Sequence, residues 1–307
     1  MAIGRLRLKP RGYDFPPYRP PSEASSLLLR VTRGCPWNKC TFCSLYKNIP
    51  FQRRPLEEIS EDIEAARELY QDETRSVFIG DSNSILIKTD ELVQILNALN
   101  QAFPNIERVT SYARAKTICK KRPEDLARLR QAGLSRLHVG LETGDKELLA
   151  IIQKGATPEE MVAAGLRAKE AGFEYSLYVL LGIGGEKRWE QHAQGTAEVL
   201  NRIDPHFIRV RTFIPQQGYD LYDEIKTDTF RKAGHETILR EQRALIEALD
   251  VTATYLSDHL SNYIPVNGKL PDDKQRMLAV IDEALATLHE DETLRQKFAR
   301  KDSLTSL

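Results

Sequence analysis

The chain has no apolar run approaching the roughly 20 residues that a membrane-spanning helix needs, and its first residues hold no apolar core of the kind a secretory leader carries. It has no surplus of charge either, since 44 Lys and Arg stand against 44 Asp and Glu. Proteins that gain affinity by tracking phosphates normally carry a basic excess, so this balance argues against a nucleic-acid partner and for a small-molecule substrate. Cysteine is scarce: four in 307 residues cannot make a disulfide framework of any density. These absences lead us to expect a cytoplasmic protein with no membrane contact. A chain of this length buries roughly 75% of the surface its unfolded form exposes, and needs no metal or disulfide to complete a core.

What the scarcity hides is a clump. Cys35, Cys40 and Cys43 fall on one irregular loop, four residues separating the first pair and two the second. Soft thiolates that close together suit zinc, copper(I) or an iron-sulfur cluster. A structural zinc site wants four protein ligands, and the neighbourhood offers neither another cysteine nor a histidine; Cys119 lies far along the chain. Three thiolates on a cubane leave one iron open, and an open coordination position is where chemistry can occur.

Residues 1–24 form an arm without apolar periodicity. Pro16, Pro17, Pro20 and Pro21 forbid a helix there, and Arg5, Arg7, Lys9 and Arg11 make its start basic. From Ser26 short apolar runs alternate with longer amphipathic ones. Six runs, beginning at Ser26, Arg75, Ile106, Ser135, Glu174 and His206, read as strands. Between them 55–70, 90–103, 123–133, 158–172 and 188–201 repeat apolar residues at three and four, as helices do. Six strand-helix units imply an α/β fold with a parallel sheet. The count fits a partial (β/α)6 TIM-like barrel over residues 25–215, with a doubly wound sheet as the rival that periodicity alone does not separate. Helices near 236–249 and 273–289 then form a C-terminal helical extension, 216–307, over the barrel opening. In either architecture the working face lies at the C-terminal ends of the strands.

The loop Arg33-Gly34-Cys35-Pro36-Trp37-Asn38-Lys39-Cys40-Thr41-Phe42-Cys43 resembles the signature of the radical S-adenosylmethionine (SAM) superfamily. That resemblance implies a [4Fe-4S] cluster on Cys35, Cys40 and Cys43, with SAM chelating the open iron through its amine and carboxylate, and Phe42 as the aromatic before the last cysteine. The usual spacing has three residues between the first two cysteines. The extra residue here weakens transfer of any specific reaction, though not of cluster binding.

Other strand ends extend the resemblance. Gly80-Asp81 stands where the superfamily has a turn holding the methionyl amine, and Asp81 either takes that part or caps the turn. His138-Val139-Gly140-Leu141-Glu142-Thr143-Gly144-Asp145 with Lys154 resembles the branch of the Elongator catalytic subunit and coproporphyrinogen dehydrogenase. By that likeness Glu142 accepts the ribose hydroxyls and Lys154 meets the SAM carboxylate, against the alternative of an ordinary solvated lysine. Ser111 and Arg114 close the third strand; Arg114 binds SAM, binds substrate or forms a structural ion pair. Leu181 and Gly182 stand at the adenine-contacting segment. Toward the opening, Gln216, Gln217, Tyr219, Tyr222, His259, Asn262 and Tyr263 are substrate or lid candidates. Tyr18 to Ala24, Asn262 to Pro265 and Leu270 to Lys274 match an uncharacterised radical SAM group.

The resemblance thus implies an enzyme that reductively cleaves SAM to a 5'-deoxyadenosyl radical, which takes hydrogen from a substrate. No general base or nucleophile is needed for that first step, so no catalytic side chain is assigned. It further implies an external one-electron donor such as a flavodoxin or ferredoxin. Two alternatives stand beside it: a non-catalytic haem carrier on the same fold, and Elongator-like modification of RNA or protein, to which the basic arm would contribute.

Overall fold

The structure, a computed structural model, describes residues 18–216, 219–221 and 230–302. The basic start of the arm, Gln217, Tyr222 and the last five residues lie outside these.

Six parallel strands appear where the sequence places them: β1 (Leu27–Arg30), β4 (Ser76–Gly80), β5 (Arg108–Ala113), β6 (Leu134–Glu142), β7 (Glu174–Leu181) and β8 (Phe207–Thr212). Two further pairs were not expected. β2 (Thr32–Arg33) and β3 (Gln52–Arg53) form a small antiparallel ribbon, while β9 (Thr254–Leu256) joins β8 in parallel and β10 (Gly268–Lys269) joins β9 antiparallel. Runs of two or three residues carry too little alternation to be read as strands.

The main sheet runs β1-β4-β5-β6-β7-β8-β9-β10 without a reversal of order. A doubly wound sheet would place its first strand in the middle. The rival is therefore excluded, and the fold is an α/β partial TIM-like barrel whose ends, β1 and β10, do not pair with each other.

Along each strand alternate residues serve different surroundings. Leu137, Val139 and Leu141 of β6, Tyr175, Leu177, Val179 and Leu181 of β7, and Ile208 and Val210 of β8 join the main apolar core. Their neighbours His138, Gly140, Tyr178, Leu180 and Arg211 line a cavity, which Val179 also borders. This division explains how charged residues sit inside strands that are otherwise apolar.

Helices α1 (Leu56–Tyr70), α2 (Thr89–Ala102), α3 (Ala115–Lys120), α4 (Pro123–Gln131), α5 (Lys146–Ile151), α6 (Pro158–Glu170) and α7 (Gly185–Ile203) follow in chain order. α3 and α5, six residues each, are too short for the periodicity to reveal. α2 buries Leu92, Ile95, Leu96 and Leu99 on one stripe, each worth about 1.5–3 kcal/mol relative to exposure. α6 begins with a reciprocal capping box between Thr157 and Glu160. α8 (His235–Ala248), α9 (Lys274–Glu290) and α10 (Glu292–Asp302) complete the described chain. None of the described helices is long and apolar enough to cross a membrane.

The N-terminal barrel end is closed by the short helical turn Pro21–Glu23. Glu23 has no exposed surface. Its carboxylate accepts from Ser26 Oγ at 2.8 Å and from Arg108 Nη2 at 3.4 Å, faces His138 Nε2 at 3.3 Å, and has Arg136 Nη1 at 3.8 Å. The arm thus ends as a plug, pinned by one buried charge.

Candidate active site

The β2–β3 ribbon clamps the base of the cysteine loop, since Thr32 faces Arg53 and Arg33 faces Gln52. Gly34 leaves the ribbon at φ +76°, with Ile49 O only 2.9 Å from where a Cβ would stand. Asp81 fixes the same corner. One of its oxygens accepts from Arg30 Nε at 3.0 Å and the other from Gly34 N at 3.0 Å. Ser82 Oγ donates to Gly34 O at 2.8 Å.

The far side of the loop is stapled by Trp37. Its indole N–H donates to Gln153 O at 2.7 Å, the Arg114 guanidinium lies 4.9 Å from its ring centroid, and Gly155 passes beneath it. A Cβ on Gly155 would meet Trp37 at 2.4 Å, and the residue holds φ +75°. Gly155→Ala therefore costs at least about 1–2 kcal/mol in backbone strain and pushes the ring off its partners. We expect the variant to fold yet take up less iron and sulfide on reconstitution, checked by metal analysis and visible absorbance.

All three thiols border one cavity of about 360 Å³ at the C-terminal strand ends. Phe42, Tyr112, Arg114, Gly140, Glu142, Lys154, Tyr178, Arg211, Gln216, Tyr219 and His259 share its walls. Among the described residues no three His, Cys, Asp or Glu side chains converge on one ion-sized point. Three soft thiols on one cavity suit an iron-sulfur cluster with one iron left open, whereas a closed structural zinc site takes four protein ligands. Asn38 N–H already donates to Cys35 Sγ at 3.4 Å, the kind of bond that tunes a cluster's potential. Burial pushes the Cys43 thiol up to about 11 and raises that of Cys40. Ligation must therefore displace protons.

Glu142 sits at φ +64°, where the β6–β7 register shifts between Gly140 and Glu142. The kink folds its carboxylate back over Gly140, so that a Cβ there would lie 2.0 Å from Glu142 Oε1. Lys154 Nζ donates to that oxygen at 2.6 Å. Burial alone would lower the Lys154 pKa, but Glu142 beside it more than offsets this and raises it. The lysine is thus paired rather than solvated. Arg114 also donates to Lys154 O at 3.1 Å, and burial lowers its pKa.

Not every expected residue reaches the cavity. Asp81 is spent on Arg30 and Gly34. Gly80 gives its carbonyl to Val31 N at 2.9 Å. Ser111 Oγ donates to backbone carbonyls of Ile79 and Tyr112, each 3.0 Å away. Leu181 belongs to the core, and Gly182 N–H donates to the buried Glu241 of α8 at 2.7 Å. Gln216 and His259 line the cavity. Tyr263 turns instead to Asp302 and packs on Phe298, with ring centroids 5.2 Å apart. Asn262 bonds Val210 O and Thr212 Oγ1. Cys119 donates to Glu160 O at 3.5 Å on the α6 side.

Trp37, Ser82, Tyr112 and Tyr178 carry no assignment from sequence, whereas Arg211 stands among the polar groups at the sixth strand's end that are expected to face the barrel opening. Arg209 and Arg211 alternate with Ile208 and Val210, and that pattern is the signal that marks Arg211 as inward-facing.

Residues 29–194 match the family model described as Radical SAM superfamily. The chain belongs to that superfamily. Radical SAM proteins normally hold a [4Fe-4S] cluster and SAM, and the residues around this cavity fit both. The heme chaperone HemW of Bacillus subtilis (strain 168) is 24% identical over 53% of this chain and 44% of its own length. An uncharacterized methyltransferase of Pyrococcus horikoshii is 24% identical over 64% of this chain and 41% of its own. The chain spans less than half the length of these curated relatives. Among solved structures, coproporphyrinogen III oxidase (HemN) from Escherichia coli superimposes with a TM-score of 0.54 at 15% identity, over 72% of this chain and 52% of that one. Methylornithine synthase (PylB) gives 0.51 at 20%, over 74% and 63%. The archaeal Elp3 of Methanocaldococcus infernus gives 0.50 at 12%, over 74% and 58%. At such identities the likeness speaks for the fold.

Proposed function

We propose that this radical SAM protein is an enzyme acting on a small or medium-sized molecule. The observation that carries the reading is the shared cavity: three thiols from one clamped loop and the Glu142–Lys154 pair meet there. With a [4Fe-4S] cluster on Cys35, Cys40 and Cys43 and SAM at its open iron, the site would supply one-electron cleavage of the sulfonium and a 5'-deoxyadenosyl radical for hydrogen abstraction. Glu142 can accept both hydroxyls of a ribose, and Lys154 can hold a carboxylate. Phe42 and Trp37 add apolar surface to the same cavity wall. The electron comes from an external donor such as a flavodoxin or ferredoxin.

Anaerobic reconstitution with iron and sulfide, followed by SAM and dithionite, tests this. The expected products are 5'-deoxyadenosine and methionine in equal amounts. The likeness to HemW supports a second reading, a haem carrier without turnover. Stoichiometric haem binding with no SAM cleavage would replace the first reading by the second. The zero net charge weighs against RNA as substrate.

A further inference from the structure

Four charged side chains line the cavity: Arg114, Glu142, Lys154 and Arg211. Three are engaged. Lys154 pairs with Glu142, while Arg114 stacks on Trp37 and donates to a carbonyl. Arg211 is different. It rises from β8 over the Tyr178 ring, 5.3 Å from its centroid, and among the described residues no carboxylate pairs with it. A guanidinium in a concave wall without an anion is half of an ion pair.

Its surroundings narrow the other half. The Tyr178 hydroxyl, buried on the same wall, has no hydrogen-bond partner among the described residues. His259 Nδ1 accepts from Ser261 N at 3.2 Å, so its Nε2 carries the proton and remains a donor. Burial and the Arg211 charge together push His259 down to about 4, so it is neutral at pH 7. One cation flanked by two neutral donors matches one negative charge. A phosphate dianion would ask for a second cation or a nest of backbone N–H groups.

We propose that the substrate is a small organic acid whose carboxylate is held by Arg211, with Tyr178 and His259 as flanking donors. This rests on the cavity being a substrate site, and it deepens that reading by assigning a chemical class. The Arg211 subsite is built from β7, β8 and the loop after β9, whereas the cysteine loop, Glu142 and Lys154 make the cofactor end. The two ends are separable by substitution.

The test uses butyrate, its neutral isostere butyramide, and inorganic phosphate, titrated into the reconstituted protein with SAM bound and followed by ligand-observed NMR and calorimetry at pH 7. Butyrate should bind, and butyramide and phosphate should each bind at least about tenfold more weakly, the scale of one charge-assisted hydrogen bond. Arg211→Gln should lose at least that factor for butyrate, and Arg211→Lys should recover part of it; thermal melts confirm that both fold. Cys119→Ala protein, altered outside the cavity, should bind butyrate like the wild type. A cavity protein that binds the acid but never cleaves SAM would sink the enzymatic reading and leave this one standing. The proposal is overturned if butyrate and butyramide bind alike, if phosphate outcompetes butyrate, or if none of the three binds. It also fails if Arg211→Gln weakens SAM while leaving butyrate untouched, because Arg211 would then serve the cofactor.

Discussion

Cys40→Ala should fold like the wild type and yield no more 5'-deoxyadenosine than protein that was never given iron. The loop that carries the thiol is held by the β2–β3 ribbon, by Asp81 on Gly34 and by the Trp37 staple, none of which involves the Cys40 side chain. Removing one sulfur from a partly buried position therefore leaves the scaffold in place. Two remaining thiolates cannot hold three corners of a cubane, so the broad visible absorbance of a reconstituted cluster should be lost with the activity. Cys119→Ala is the matched control. Its thiol meets Glu160 O on the α6 side, outside the cavity lining, and that variant should keep both cluster and product. Equal product from Cys40→Ala and wild type would rule out the proposed site.

Glu23→Ala should be the most damaging substitution away from the cavity's cysteines, at about 3–5 kcal/mol, the usual cost of stripping one partner from a buried ionic network. Arg108, Arg136 and His138 would be left facing a void at the closed end of the barrel. Urea unfolding reads the loss directly as a lower midpoint with an unchanged slope. Burial works against ionisation of Glu23, but His138 and Ser26 hydrogen bonds and the Arg108 charge prevail and hold its pKa at about 2, below the ordinary 4.5. Because the folded value is depressed, the stabilisation is complete above 4.5 and drains away as pH falls from there toward 2. The gap is worth on the order of 3 kcal/mol. Burial pushes the His138 pKa down, so forcing it to stay neutral adds a loss of the same sign below 6.5. Glu23→Gln should flatten the lower part of that acid limb. An unchanged acid limb in the glutamine variant would show that Glu23 is not the titrating group.

The barrel was legible because its six long strands and the longer helices each bury a periodic stripe, and the cysteine loop was legible because three thiols in nine residues have few innocent explanations. Short elements escaped. The β2–β3 ribbon and α5 are fixed by tertiary contacts, Thr32 to Arg53 and Thr41 N to Ile152 O, that no local pattern encodes. Site assignments followed the same division. Glu142 and Lys154, expected to face SAM, pair with each other on the cavity wall, whereas Asp81, Ser111 and Tyr263 turn to neighbours distant in sequence. Trp37 was passed over because its partner, the backbone of Gln153 and Gly155, lies more than a hundred residues away.

The plug at Glu23 also bears on how the molecule assembles. Its ligands come from β5 and β6, 85 and 115 residues further along. During synthesis the arm emerges before the barrel, carrying a carboxylate that meets its full set of cations only once Arg136 of β6 has followed. Contacts of such long sequence separation form late and slow the folding of a domain. Closure of the barrel floor therefore waits on β6, and an arm shortened past Glu23 should speed early collapse while leaving the finished barrel easier to unravel.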